Sequence, residues 1–307
     1  MSVNYIREKY SFFGAVVAMQ FDNENDRDGF NFFYSDYQCG NDCHPDLTIR
    51  FSSTDQAGVL RELLSNPALN FARYRQKGDR KFHLWRKRAT IIPPFILPPL
   101  KGRFMLLHGA ALVSACDGPV PSGMLIMAEH YQGKTSLTLS LIARAGFKYL
   151  TEDLIPFEVS TGLIYPMNKP GGVRYKTIDL VPGLRKRLAA TKEKRKYVSL
   201  VTGDIYVGKL HNLYKGSHYR KPVSPKVVIF PSDKGEKHSR PNLRPITKYE
   251  LFRRLTMHRF NAGLPVNDEL RYCLSMAKEC RGYVLEYSLQ RHLGDAGKLV
   301  AGLMKTK

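Results

Sequence analysis

The chain is predicted to be an α/β protein with a smaller β-rich domain at its amino end. Three observations carry this expectation. Aromatic and branched runs crowd residues 10–35, strand-like and amphipathic helix-like segments alternate after residue 101, and a proline-rich stretch, "IIPPFILPPLKGR" over residues 91–103, separates the two patterns. Paired prolines cannot join a regular ladder or a helix interior and favour an extended trace. The boundary therefore falls there, with domains at 1–100 and 101–307. A chain of 307 residues suits one large or two moderate domains.

In the first domain, "SFFGAVVAMQF" and "GFNFFYS" flank the polar "DNENDRDG", which reads as a hairpin or meander. A helix is expected over "STDQAGVLRELLSNP", where Ser53 or Thr54 can cap, Val and Leu recur three or four apart, and Asn66-Pro67 ends the run. The apolar stretch from Phe12 to Met19 follows Tyr, Glu and Lys and lacks a small-residue cleavage site, so a strand is expected there and not a signal peptide. In the second domain the succession "FMLLHGAALVSA", "SGMLIMA", "KTSLTLSLIARAG", "FKYLTEDLIPFEV" alternates strand, strand, helix, strand. Such a unit builds an open sheet whose ligands collect at the carboxyl ends of its strands.

Composition narrows the partners. Hydrophobic residues at 43% and aromatics at 11% exclude a disordered chain, and no apolar run approaches the length of a membrane span. Five cysteines, scattered and odd in number, argue against a disulfide framework and for a reducing compartment, with the cytoplasm as default. Cys39, Cys43 and His44 have no second ligand pair and make a weak metal pattern. The formal net charge of +21 attracts anions. Between Lys169 and Arg259, 23 lysines and arginines face 6 acids, so the positive field belongs to the C-terminal half. The basic "RKRLAATKEKRKY" within it reads as a solvated helix face or an anion-docking patch. Neither a membrane nor nucleic acid is the expected partner: Trp85 stands without interleaved aromatics, and no helix-turn-helix pattern is present.

The chemistry concentrates in "MAEHYQGKTSLTLSL". In a phosphate loop of the form GxxxxGK[ST], successive backbone N–H groups and a helix N-terminus surround the phosphates, lysine supplies a charge, and the Ser or Thr hydroxyl reaches magnesium. Gly133, Lys134 and Thr135 match, with Gln132 and Ser136 flanking them, and Ala128 occupies the place of the first glycine. Alanine is acceptable there if that backbone position does not demand a positive φ. The interior residues Glu129, His130, Tyr131 and Gln132 are bulkier than the function requires. The next strand ends in Glu152 and Asp153, two acids that can divide the tasks of holding a metal and receiving a hydroxyl proton, or else form a turn. His108 sits at the start of the strand entering the sheet and is either a core histidine or an orienter of the base. Lys169 and Arg174, in "NKPGGVRYK", can steady a phosphate or an acidic acceptor, or lie on a plain surface turn. Of Arg253, Arg254 and Arg259, two are expected to face solvent and one to reach nucleotide.

The order "LHGAALV", "AEHYQGKTS", "GFKYLTEDLIPF" resembles the catalytic domain of bacterial HPr kinase/phosphorylase and its relatives, well over residues 102–157 and more loosely beyond. The looser part resembles HPr-kinase-like enzymes of ribosomal peptide pathways, including lasso-peptide precursor kinases. The resemblance implies a P-loop kinase core of the HPr kinase C-terminal domain type using ATP and Mg2+ as a serine-type hydroxyl kinase. It implies that Gly133, Lys134 and Thr135 contact phosphate and metal, that Asp153 is the metal-linked acid and that Glu152 is the base, one methylene longer than the family's usual Asp. No phosphorylase signature is evident, so kinase activity alone is expected. The acceptor is expected to be a serine of an acidic precursor peptide; alternatives are a small-molecule acceptor (amino acid, sugar or nucleoside) or a nucleotide-binding regulator without turnover. A homo-oligomer is compatible with this reading.

Overall fold

The computed structural model describes residues 5–51, 98–114, 121–129, 131–191, 194–199, 203–236, 239–260 and 264–304. The chain divides into two compact units, Met1–Phe104 with Ala262–Leu264, and Met105–Asn261 with Pro265–Lys307. The helix expected over residues 53–67, Trp85, His130 and the proline-rich segment as far as residue 97 lie outside the described residues.

In the first unit, β1 (Ile6–Phe12) and β2 (Ala15–Phe21) form an antiparallel hairpin with Ile6 opposite Phe21. Its two turn residues, Phe13 and Gly14, both have positive φ, at 51° and 91°, the turn geometry that matches strand twist. The second aromatic run is not a strand. It forms α1 (Glu24–Tyr34), because Asn23 caps the helix by accepting the Asp26 N–H and because Glu24 and Asp26 complement its amino end. Phe30, Phe33 and Tyr34, spaced three and four apart, then share one buried face. The polar stretch read as a turn is this cap and first turn. β3 (Leu47–Phe51) adds parallel to β2.

The second unit begins with another correction. The run expected as one strand is two, β4 (Phe104–Leu107) and β5 (Ala110–Val113), which belong to different sheets. His108 and Gly109 make the break, and Gly109 permits it: a Cβ there would lie 2.9 Å from the Ile126 carbonyl oxygen. Next come β6 (Ser122–Ile126), α2 (Lys134–Ala145), β7 (Lys148–Glu152) and β8 (Ile155–Glu158). They lead to β9 (Gly171–Arg174), the short helices α3 (Tyr175–Leu180) and α4 (Leu184–Ala190), and the hairpin of β10 (Lys194–Ser199) with β11 (Gly203–Gly208). The unit closes with β12 (Ser224–Asp233), β13 (Asn242–Pro245), α5 (Lys248–Met257), β14 (Arg259–Phe260), α6 (Val266–Glu279), β15 (Arg281–Tyr287) and α7 (Leu289–Gly302).

The main sheet has the order β13-β15-β12-β6-β5-β7. β15, β12 and β6 are parallel, β5 runs antiparallel to both β6 and β7, and β13 is antiparallel at the far edge. Smaller sheets are β10-β11-β9 and β14-β4-β8. Leu137, Leu141 and Ile142 of α2 pack with Met124 and Ile126 of β6 and with Leu293 and Val300 of α7. Gly146, with φ 71°, closes α2, a left-handed cap that glycine accepts without a Cβ penalty. Among the described residues no helix is long and apolar enough to cross a membrane.

Candidate functional site

The sheet register brings the chemistry to one end. Ala110 at the start of β5 pairs with Ile126 at the end of β6 and with Glu152 at the end of β7. The loop leaving β6 and the acids leaving β7 therefore emerge side by side. Met127 continues the ladder by donating its N–H to Ile229 at 2.9 Å, and Ala128 is buried and not left-handed. The missing first glycine thus carries no backbone strain. Strain appears instead at Tyr131, φ 71°, and at Asp153, φ 64°.

Gly133 is the N-cap of α2 with φ 82° and no side-chain cap bond. A Cβ there would collide with the Tyr287 hydroxyl, so both its backbone and its surroundings require glycine. No acidic residue occupies the first turn of α2. The first N–H groups of a helix have no intrahelical acceptor, and with the macrodipole they favour an anion.

Lys134 is 9% exposed. Its Nζ lies 2.8 Å from Asp153 Oδ1, while Lys169, equally buried, reaches Asp153 Oδ2 at 3.8 Å. Thr135 donates its hydroxyl to Glu152 Oε1 at 2.5 Å, so the hydroxyl faces the first acid of the pair and not the second. Glu152 is 2% exposed, and its Oε2 has no hydrogen-bond partner. Gly171 leaves room for that oxygen, since a Cβ there would come within 2.8 Å of it. Burial above all, and then the Asp153 charge, push the Glu152 carboxyl up to about 7, against the lowering influence of Lys134, the Thr135 hydrogen bond and Lys169.

The remaining residues singled out from the sequence take more varied places. Gln132 directs its Oε1 to the Asp233 N–H at 2.9 Å, which ties the loop to the end of β12. Ser136 is buried and hydrogen-bonded to Thr177 at 2.9 Å; only its backbone N–H belongs to the amino end of α2. Arg174 lies over the Tyr131 ring, 3.8 Å from its centroid. His108 sits at the same end of the sheet, its N–H donating to the His258 carbonyl at 2.7 Å and its ring beside Phe260. Arg254 and Arg259 are held by Glu250 and Glu269, at 2.9 and 2.6 Å. Cys39 and Cys43 are half-buried thiols, Cys273 and Cys280 are buried, and no group of three or more potential metal-binding His, Cys, Asp or Glu occurs among the described residues.

Sequence reasoning missed Gly171 and Tyr287, and read His258 as structural. Gly171 stands in a Gly-Gly pair that marks a tight approach without saying to what. His258 lies where Lys134 and Glu129 act on its charge, and burial lowers its pKa. Nothing in its local sequence places it there.

The donors Thr135, Glu152 and Asp153 are all hard oxygens, the set that suits magnesium, and the unpartnered Glu152 oxygen is a buried acceptor in want of a proton or a cation. The pair of acids set against two buried lysines and a helix amino end can hold a polyphosphate and deprotonate a hydroxyl.

None of the families compared matches the chain, and no curated relative matches it. Among solved structures the chain is similar to the Hpr(Ser) kinase/phosphatase from Coxiella burnetii, at 14% identity over 65% of this chain and 88% of that one, with a TM-score of 0.30. A likeness this loose transfers no residue role.

Proposed function

We propose that this chain is an ATP- and Mg2+-dependent kinase that transfers the terminal phosphoryl group to a hydroxyl, with a serine of an acidic precursor peptide as acceptor. One observation carries the reading: the buried Glu152, its carboxyl pushed up to about 7 chiefly by burial, lies against Thr135 of a Gly-Lys-Thr helix start whose lysine pairs with Asp153. A carboxyl tuned near 7 is suited to general-base work at physiological pH. The loop Gly133 to Ser136 binds phosphate through backbone N–H groups, and Lys134 exchanges Asp153 for phosphate oxygens. Glu152 takes the proton of the acceptor hydroxyl, and Lys169 offsets the charge of Asp153. Magnesium would be held by Asp153 and by Thr135 once its hydroxyl turns from Glu152, and would neutralise charge on the phosphates and polarise the one transferred.

The positive charge between residues 169 and 259 supports an acidic acceptor. The undistorted Ala128 removes one reason for reading the chain as a binding protein without turnover. The test is incubation of the full chain with ATP, Mg2+ and candidate peptides, read as a mass increase of one phosphate. Lys134→Ala should abolish the transfer. Nucleotide binding without transfer to any peptide or small hydroxyl compound would refute the proposal.

A further inference from the structure

Tyr131 holds a backbone state that glycine takes freely and a large side chain resists, φ 71°, and the residue is 55% exposed. Its ring is not a core contact, and strain of this kind collects at functional sites. Its stacking partner is the Arg174 guanidinium at 3.8 Å. Arg174 ends β9, whose first residue, Gly171, lies against the Glu152 carboxylate. Three residues of strand span about 10 Å, so β9 runs from the acid to the rim of the loop. Among the described residues, no carboxylate pairs with the Arg174 guanidinium and no oxygen accepts a hydrogen bond from it. The guanidinium sits over an aromatic face with its donors uncommitted, an arrangement suited to bidentate recognition of phosphate.

We propose that Tyr131 is a positioning residue that holds the Arg174 guanidinium as a preformed fork for the outermost phosphate of a polyphosphate bound in the loop. The inference rests on the phosphate-loop reading above. The strained backbone aims the ring, the ring fixes the plane of the guanidinium, and the fork meets the phosphate without first losing rotamer freedom. The alternative use of an exposed tyrosine, stacking on the nucleotide base, makes a different prediction.

The experiment is titration calorimetry of the full chain with Mg-ATP and, separately, with magnesium tripolyphosphate, which has no base. Tyr131→Leu should weaken both ligands by about tenfold, and Tyr131→Phe, which keeps the aromatic face, should restore affinity to within about twofold. Arg174→Met should match Tyr131→Leu, and the double variant should be no weaker than Arg174→Met alone, because the phosphate-binding role proposed for Tyr131 runs through Arg174. Additive losses in the double variant would overturn the proposal, as would a Tyr131→Leu defect confined to Mg-ATP, which would assign the ring to the base. Wild-type affinity in Tyr131→Leu would sink the positioning role alone. A wild-type chain that binds neither ligand would sink the phosphate-loop reading and this inference with it.

Discussion

Replacing Glu152 by Gln tests the electrostatics of the site without any knowledge of the acceptor. Burial and the neighbouring Asp153 raise the carboxyl from 4.5 to about 7. A raised folded-state pKa means that the folded chain keeps its proton where the unfolded chain has lost it. The contribution is therefore fully present below about 4.5 and lost as pH climbs through 7. At about 1.4 kcal/mol per unit, the shift amounts to roughly 3 kcal/mol of stability lost between those limits. For a unit of this size that is a fall of about 6–12 °C in melting temperature. Glutamine cannot ionise, yet its amide oxygen still accepts the Thr135 hydroxyl. Melting curves of both proteins from pH 4 to 8 should diverge, the wild type losing stability relative to Glu152→Gln as pH rises. Histidines titrate in both proteins and cancel in the difference. If the two curves run parallel across that window, Glu152 is not the titrating group and the general-base assignment loses its foundation.

Other outcomes follow from the same geometry. Phosphoryl transfer should rise with pH through about 7 as Glu152 loses its proton, and Glu152→Gln should slow it by about 100-fold or more while nucleotide affinity in calorimetry stays. Gly171→Ala should displace Glu152, because its Cβ meets Leu210 at 2.6 Å and the carboxylate at 2.8 Å; a cost of about 1–3 kcal/mol and a downward shift of the activity profile's pKa should appear together. Arg259→Leu leaves the buried Glu269 without its partner at 2.6 Å, and chemical denaturation should register a loss of roughly 3 kcal/mol with the site intact.

The parts of the site visible in the sequence are those with local causes. A buried strand, a Gly-Lys-Thr and an amphipathic run closed by Gly146 describe a helix start through capping and periodicity alone, and two acids at a strand end need only the succeeding residues to be recognised. Where several rules competed, the stronger local signal decided: the aromatic run of α1 satisfies both a strand and a helix pattern, and the Asn23 cap selects the helix. The break at His108 and Gly109 was hidden because the groups that crowd Gly109, from Ile126 and Ile155, are remote in sequence.

The amino-acid sequence by itself determined the α/β character, the Gly-Lys-Thr turn with its helix and the acidic pair, because each rests on backbone chemistry within a few neighbouring residues. Only the tertiary structure decided that Thr135 bonds Glu152, that Lys169 joins Lys134 on Asp153, that Gly171 makes room for a carboxylate, and that Arg174 lies on Tyr131. These relations cross 16 to 43 residues of chain, and the raised pKa of Glu152 follows above all from the exclusion of water, which exists only once the sheet, α2 and β9 have closed around it.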